Sequence, residues 1–349
     1  MLDSFSTARF EWVSRWALAG ALILGVLAGV LIPRLTARAQ EMEPQTYTVI
    51  AGGSGPYNAD VLAFAPQSIQ VHRGDTVTWL LAGFHNIHFE KGPSELVVAP
   101  EFDGKPLPQI NPAILFPNAQ SGSTFTGGDA NSGIALDPTD PMASFSLVMD
   151  VEPGQYDYFC DIHPGMAGII NVVDSATEIP SPAEALTAGA GELAGNVNRG
   201  VQTALETALQ PPTINDDGSV QVSMGVQAGL SAIQGFFPSV TMIEAGQSVT
   251  WHMPDNSMEG HSITSPFVPP GSEMQVIPQE GGPPVVALSD YAFPSLDSGA
   301  TVGPGDSFNS GILFPGQSFT LTFSEPGVYP YVCMLHPGMN GTVVVMPLE

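Results

Sequence analysis

Only two of the 349 residues are cysteine, and only eight are lysine or arginine. Set against 34 acidic residues, that shortage gives a formal charge of −26 at pH 7. Such a surface repels phosphate backbones, which excludes nucleic acid as a partner. Histidine is also scarce, seven in all, with no His-x-His pair anywhere. Long apolar runs are absent apart from one near the start. Glycine and proline, 38 and 33 residues, make up about a fifth of the chain, short of the roughly quarter or more that marks disorder. They suit a turn-rich β protein.

The one apolar run is Trp16 to Pro33. It is uncharged, rich in Leu, Ala, Val and Gly, and bracketed by Arg15 and Arg34. Its length lies between a signal-peptide core and a full membrane span. "ARAQ" follows, a small-x-small pattern that permits cleavage after Ala39. Residues 1–40 therefore read as a signal peptide or as a membrane anchor, and both readings stay open. Arg9 and Arg15 are matched by Arg34 and Arg38, so the positive charges do not orient the segment. On either reading the remainder is expected to be exported, to a periplasmic or extracellular face, and an uncleaved segment would hold it at a membrane. Setting aside those four arginines, with Asp3 and Glu11, leaves four basic and 32 acidic residues, a formal charge of −28. That charge keeps an exported protein soluble and attracts a basic protein partner.

The body of the chain is a tandem repeat. "FAPQSIQVHRGDTVTWLLAGFHNIHF" (64–89) parallels "FFPSVTMIEAGQSVTWHMPDNSMEGHSITSPF" (236–267), and "ASFSLVMDVEPGQYDYFCDIHPGMAGIINVV" (143–173) parallels "QSFTLTFSEPGVYPYVCMLHPGMNGTVVV" (317–345). Two copies of more than a hundred residues each mean two homologous domains, 44–174 and 213–349, and not a solenoid. Within each copy, alternating apolar and polar residues around Gly-Asp, Ala-Gly-Gln and Pro-Gly turns read as strands. Many short strands with frequent turns make an all-β sandwich. Between the copies, 175–212 is Ala/Gly/Pro-rich and reads as a partly helical linker, with a helix near Val201 to Leu209. Each copy also carries a long loop, 92–142 and 268–316, and both loops contain "NSGI" (131–134 and 309–312).

Two cysteines in an exported chain ordinarily suggest one disulfide. Here Cys160 and Cys333 occupy equivalent positions, in "YFCDIHPGM" and "YVCMLHPGM", so each is expected to do the same local job. Cys-x-x-His-Pro-Gly-Met places a thiolate, an imidazole and a thioether at the end of a strand and in the tight turn after it. A thiolate, two imidazoles and a weak thioether suit copper cycling between one and two positive charges, because sulfur favours the cuprous ion and nitrogen the cupric one. The second imidazole must come from elsewhere. His85 and His261 both follow a Thr-Trp strand and lie 75 and 72 residues before their cysteines. Asn86 and Ser262 come next and are placed to tie the two ligand segments together. Zinc remains the competing metal, although methionine is a poor zinc ligand. His72, His88 and His252 have no counterparts in the other copy and read as structural or surface histidines.

With these motifs the sequence resembles the cupredoxins, the blue-copper family of plastocyanin and amicyanin, over about 44–174 and 213–347. The resemblance implies two tandem Greek-key β-sandwiches. It implies one type 1 copper at His85, Cys160, His163 and Met166, and a second at His261, Cys333, His336 and Met339. It also implies that the outer edges of His163 and His336 are exposed, within a small apolar rim that includes Ile162 and Leu335. The long loops are a departure from the minimal family pattern. Two-domain relatives include nitrite reductases and laccases, whose further copper needs additional histidines, His-x-His pairs among them. This chain has none, and Phe159 and Val332 precede its cysteines. The expected function is one-electron transport without a substrate site, with a redox protein, basic and cytochrome-like, as partner. Copper storage or delivery, with Met253, Met258 and Met274 near His261, is the alternative, and enzyme chemistry the less favoured one.

Overall fold

The computed structural model describes residues 43–90, 95–134, 143–269 and 271–348. Residues 1–40, read above as signal or anchor, lie outside the described residues. Among those described, no helix is long and apolar enough to cross a membrane.

Alternation in sequence becomes alternation in burial. Thr76–Leu81 and Ala143–Met149 each bury every second residue, and they pair antiparallel with Trp79 opposite Phe145. They form one sheet of the first half together with Thr46–Ala51, Phe64–Ala65 and Ser123–Phe125. The facing sheet holds Ser68–His72, Ala167–Val173, Gly154–Phe159, His88–Phe89 and Ala130–Asn131. Trp79, Phe89 and Tyr158 meet edge-on or tilted between the sheets, with ring centroids 5.3–5.9 Å apart. The second half repeats this with Trp251 and Tyr331 at 5.2 Å. These are two tandem β-sandwiches, as the repeat requires.

One glycine in each half shows why the copies keep the same residue. Gly168 pairs with Tyr158 across the sheet, and Gly341 pairs with Tyr331. A Cβ at either glycine would collide with the tyrosine ring. The ring lies flat over bare backbone, and only glycine leaves room for it.

The halves are joined by more than a linker. The helix expected near Val201 to Leu209 runs instead over Pro182–Ala208, 27 residues. Ser181 and Glu184 form a reciprocal capping box at its start, with Pro182 in the first turn, which satisfies otherwise orphaned amides. Gly189, Gly191, Gly195 and Gly200 each weaken a helix by about 1 kcal/mol relative to alanine, which conceals its length in the sequence. Two of them are contact points. A Cβ on Gly189 would lie 2.5 Å from the Pro66 nitrogen, and one on Gly200 would strike the Ser231 hydroxyl. The helix thus lies closely against both halves, on backbone at Pro66 and on the Ser231 side chain. Ala59–Val61 of the first half also extends a sheet of the second by pairing with Ser231–Phe237.

The long loops form a joint structure too. Val97–Val98 and Gln109–Ile110 pair in one four-stranded sheet with Met274–Ile277 and Val285–Leu288. Beneath it Ile110, Ile114, Leu115, Ile134 and Val286 make a small core of their own. Ile162, expected at an exposed rim, packs against that core.

Candidate metal centres

In each half, one strand end and one loop converge. Cys160 ends the Gly154–Phe159 strand, its amide donates to Met166 O at 3.0 Å, and the Met166 amide donates to His163 O at 3.0 Å. Gly165 takes φ +94° between them, a conformation glycine adopts without strain. The Cys160 to Met166 loop is thereby closed into a tight turn. The second half repeats it, with Cys333 N to Met339 O at 2.9 Å, Met339 N to His336 O at 3.2 Å, and Gly338 at φ +86°.

The turns deliver nearly superimposable triangles of donor atoms. His85 Nδ1 and His163 Nδ1 are 3.0 Å apart, with Cys160 Sγ at 3.9 and 3.6 Å from them. For His261, His336 and Cys333 the values are 2.9, 3.8 and 3.5 Å. Each triangle has the size that one ion fills at about 2.0 Å from nitrogen and 2.3 Å from sulfur. Among the described residues these two sets are the only groups of three or more His, Cys, Asp or Glu placed to hold a metal ion. Both cysteines are free and buried, so the disulfide reading is ruled out. Met166 and Met339 are buried beside them in the same loops.

What holds the first histidine of each pair was partly visible in sequence. Asn86 Oδ1 accepts the Asp161 amide at 2.9 Å, and Ser262 Oγ accepts the Met334 amide at 2.9 Å. Each thus ties the first ligand segment to the cysteine loop. The recurring "NSGI" has the same purpose from the other side. Ser132 Oγ accepts the Ile87 amide and Ser310 Oγ the Ile263 amide, both at 2.9 Å. Gly52, just past the strand Thr46–Ala51, and Gly225, within Val220–Ala228, back onto the imidazoles so closely that a Cβ would clash with His85 and would lie 2.9 Å from His261 Nε2. Sequence comparison found the "NSGI" repeat but not its task, and it missed the two glycines.

The sites differ in the charge around them. His88, expected to be structural or at the surface, is buried, with Nδ1 2.7 Å from Asp161 and Nε2 2.7 Å from Asp129. Burial alone would push its pKa down, but bonds to the two carboxylates outweigh that and raise it. Thr264 and Met334 stand in the corresponding places of the second half, and Thr264 Oγ1 donates to Asn309 at 3.0 Å. His72 bonds Thr177 O at 3.0 Å, and His252 bonds Ser318 at 2.9 Å.

The surroundings of the two ligand sets bias them differently. Burial pushes His85 down to about 3 and His163 down to about 4, and burial raises the Cys160 thiol. In the second, burial opposes ionisation in the same way. There, hydrogen bonds from His261 and His336 carry the Cys333 thiol well below its usual range. His336 rises to about 10 beside that thiolate and Glu259. Glu259, missed in the sequence, is only 8% exposed, with Oε1 3.3 Å from His336 Nε2. Burial would raise its pKa, but His336 holds it down to about 2.

Comparison with known proteins agrees with this geometry. The model of the copper binding proteins, plastocyanin/azurin family, matches residues 54–173 and again 221–346. The chain belongs to that family. Among solved structures, an oxidised amicyanin variant is 20% identical over 38% of this chain and 86% of its own, with a TM-score of 0.23. Amicyanin from Paracoccus versutus (Thiobacillus versutus) is 19% identical over 40% and 89%, with a TM-score of 0.22. As a tandem member of a copper-binding family, the chain carries two candidate copper sites. Their setting departs from the expectation of exposed edges. His163 is 8% exposed and the His336 side chain 16%, because each copper loop is turned toward the opposite half.

Proposed function

We propose that the chain is an exported blue copper protein that carries electrons one at a time through two type 1 sites. His85, Cys160 and His163 would hold one copper, with Met166 as a weak fourth ligand. His261, Cys333 and His336 would hold the other, with Met339. The observation that carries this reading is the repeated Nδ1, Nδ1, Sγ triangle, which agrees within 0.1 Å between halves that share no ligand.

Bound copper supplies a one-electron couple. The protein's part is to keep the donor atoms in nearly the same places in both oxidation states, so that little rearranges when an electron arrives. The backbone bonds that close each turn, the Asn86 and Ser262 ties and the buried setting all serve that end. Two donor types also match two needs, sulfur for the cuprous ion and imidazole for the cupric one.

Copper storage or delivery gains less support. Met253 is fully buried in the second core and Met258 packs into the first, so neither is free to pass an ion along. His72, His88 and His252 each have their own hydrogen-bond partners, in separate places. The acidic surface suits a basic redox partner drawn by long-range attraction. Copper quantitation with optical and paramagnetic spectra tests the reading. Two coppers per chain with intense blue absorbance is the expected result, and rapid nitrite reduction or phenol oxidation would overturn the carrier assignment.

A further inference from the structure

The contact between the halves is made by the copper loops themselves. In the first loop, a side chain placed at Gly165 would touch the Met258 methyl at 3.6 Å. In the second, Pro337 O accepts a hydrogen bond from Asn58 Nδ2 at 3.1 Å. Each Pro-Gly turn therefore faces a residue of the other half. Met258 belongs to the core of the first half, yet it stands three residues before His261, a ligand of the second site. Between them, Glu259 reaches His336 at 3.3 Å. One short segment, Met258 to His261, thus packs on the first copper loop, contacts the outer nitrogen of the second loop's histidine, and supplies a ligand to the second site.

Glu259 is tied to the first half through Gln234. Gln234 Nε2 donates to its Oε1 at 3.0 Å and also to Asp60 Oδ2 at 3.1 Å. Its other oxygen is buried without a partner. Burying a carboxylate oxygen without a partner is unfavourable, which makes it a poor choice for packing alone.

We propose that the two sites exchange electrons directly across this contact, with Glu259 as the positioning residue that couples them, so that the chain works as a joined pair and not as two independent carriers. The proposal rests on the copper assignment above. One electron leaves the reduced site and enters the oxidised one; no bond forms or breaks, and no proton is transferred. The Pro-Gly turns beside His163 and His336 each meet the opposite half, which makes the other site an acceptor within the same chain.

The test uses the full copper-loaded chain. Cys160→Ser and Cys333→Ser supply the separate spectrum of each site. After flash reduction of the oxidised protein by less than one electron per chain, the electron should redistribute between the sites at a rate independent of protein concentration. Glu259→Gln should slow that phase by about ten-fold, equal to about 1.4 kcal/mol on the barrier. It should also raise the second site's reduction potential, because the carboxylate favours the more positive ion, while both blue bands persist. Pulsed paramagnetic resonance on the unmutated, oxidised chain should show dipolar coupling between the two ions, a readout that needs no variant. Absence of a concentration-independent phase, absence of dipolar coupling, or an unchanged rate in Glu259→Gln would overturn the proposal. Absence of blue bands in the unmutated chain would instead overturn the copper reading beneath it.

Discussion

The Asn86 carboxamide takes the Asp161 amide at Oδ1, 2.9 Å away, and donates from Nδ2 to the Asp161 carboxylate at 2.7 Å. One side chain thus holds the residue after Cys160 by both its backbone and its side chain, across 75 positions of sequence. Asn86→Ala should remove both bonds, together with the one Nδ2 donates to Asn131 Oδ1 at 2.9 Å, and leave the Asp161 amide unsatisfied. The expected cost is about 2–3 kcal/mol, with broadening of the first site's blue band only. Ser262→Ala removes one such bond and should cost about half as much. Urea denaturation with optical spectra of the two variants checks this.

Cys160→Ser and Cys333→Ser should each remove one type 1 site and about one copper per chain, because the thiolate is the soft ligand on which the blue band depends. The double variant should be colourless. Full blue absorbance in the double variant would show that the metal lies elsewhere.

His88 joins Asp161 and Asp129 beneath the first site. His88→Leu should destabilise the first half by less than the about 3–5 kcal/mol of a fully buried pair, because Asp129 is more than half open to water. The pKa of His88 is raised on folding, so its contribution is complete below the unfolded value and is lost as pH rises through the folded one. The parent chain should therefore lose its advantage over His88→Leu in alkaline solution, which denaturation at several pH values measures.

Asp60 has the same linkage sign for a different reason, because its surroundings disfavour the charged form. Burial, with the neighbouring charge of Glu259, pushes its carboxyl up to about 6 from 3.8. Between those values the folded chain binds more protons than the unfolded one, so Asp60 adds stability as pH falls. Asp60→Asn should stabilise the copper-free chain near pH 7.5 by on the order of 2 kcal/mol and lose that advantage near pH 4. Equal stability of the two proteins at both pH values would remove the linkage.

Gly168→Ala and Gly341→Ala should each force a methyl group into a buried tyrosine ring. Overpacking of this kind costs about 1–3 kcal/mol. Thermal unfolding should show comparable losses for both, because Tyr158 and Tyr331 are equivalently buried against tryptophan.

Much of this protein could be read from its sequence. Strand positions follow from alternation, which is local, so Thr76–Leu81 and Gly154–Phe159 fall where the pattern puts them. The ligand loops were legible because Cys-x-x-His-Pro-Gly-Met is continuous, and its repetition removed the disulfide reading before any distance was known. Asn86 and Ser262 were found by their position beside a ligand. The repeat, however, describes each half alone. Glu259, Gln234, Asp60 and Asn58 do their work between halves, where no periodicity marks them. Long loops that looked like additions to each half proved to pair with one another. The linker's helix was hidden because its glycines lower local propensity while permitting close packing. Local pattern and metal chemistry fix what each copper loop is. Which way the loop faces was decided by contacts between residues far apart in sequence, and the buried area and hydrogen bonds that reward such contacts exist only once the two halves have met.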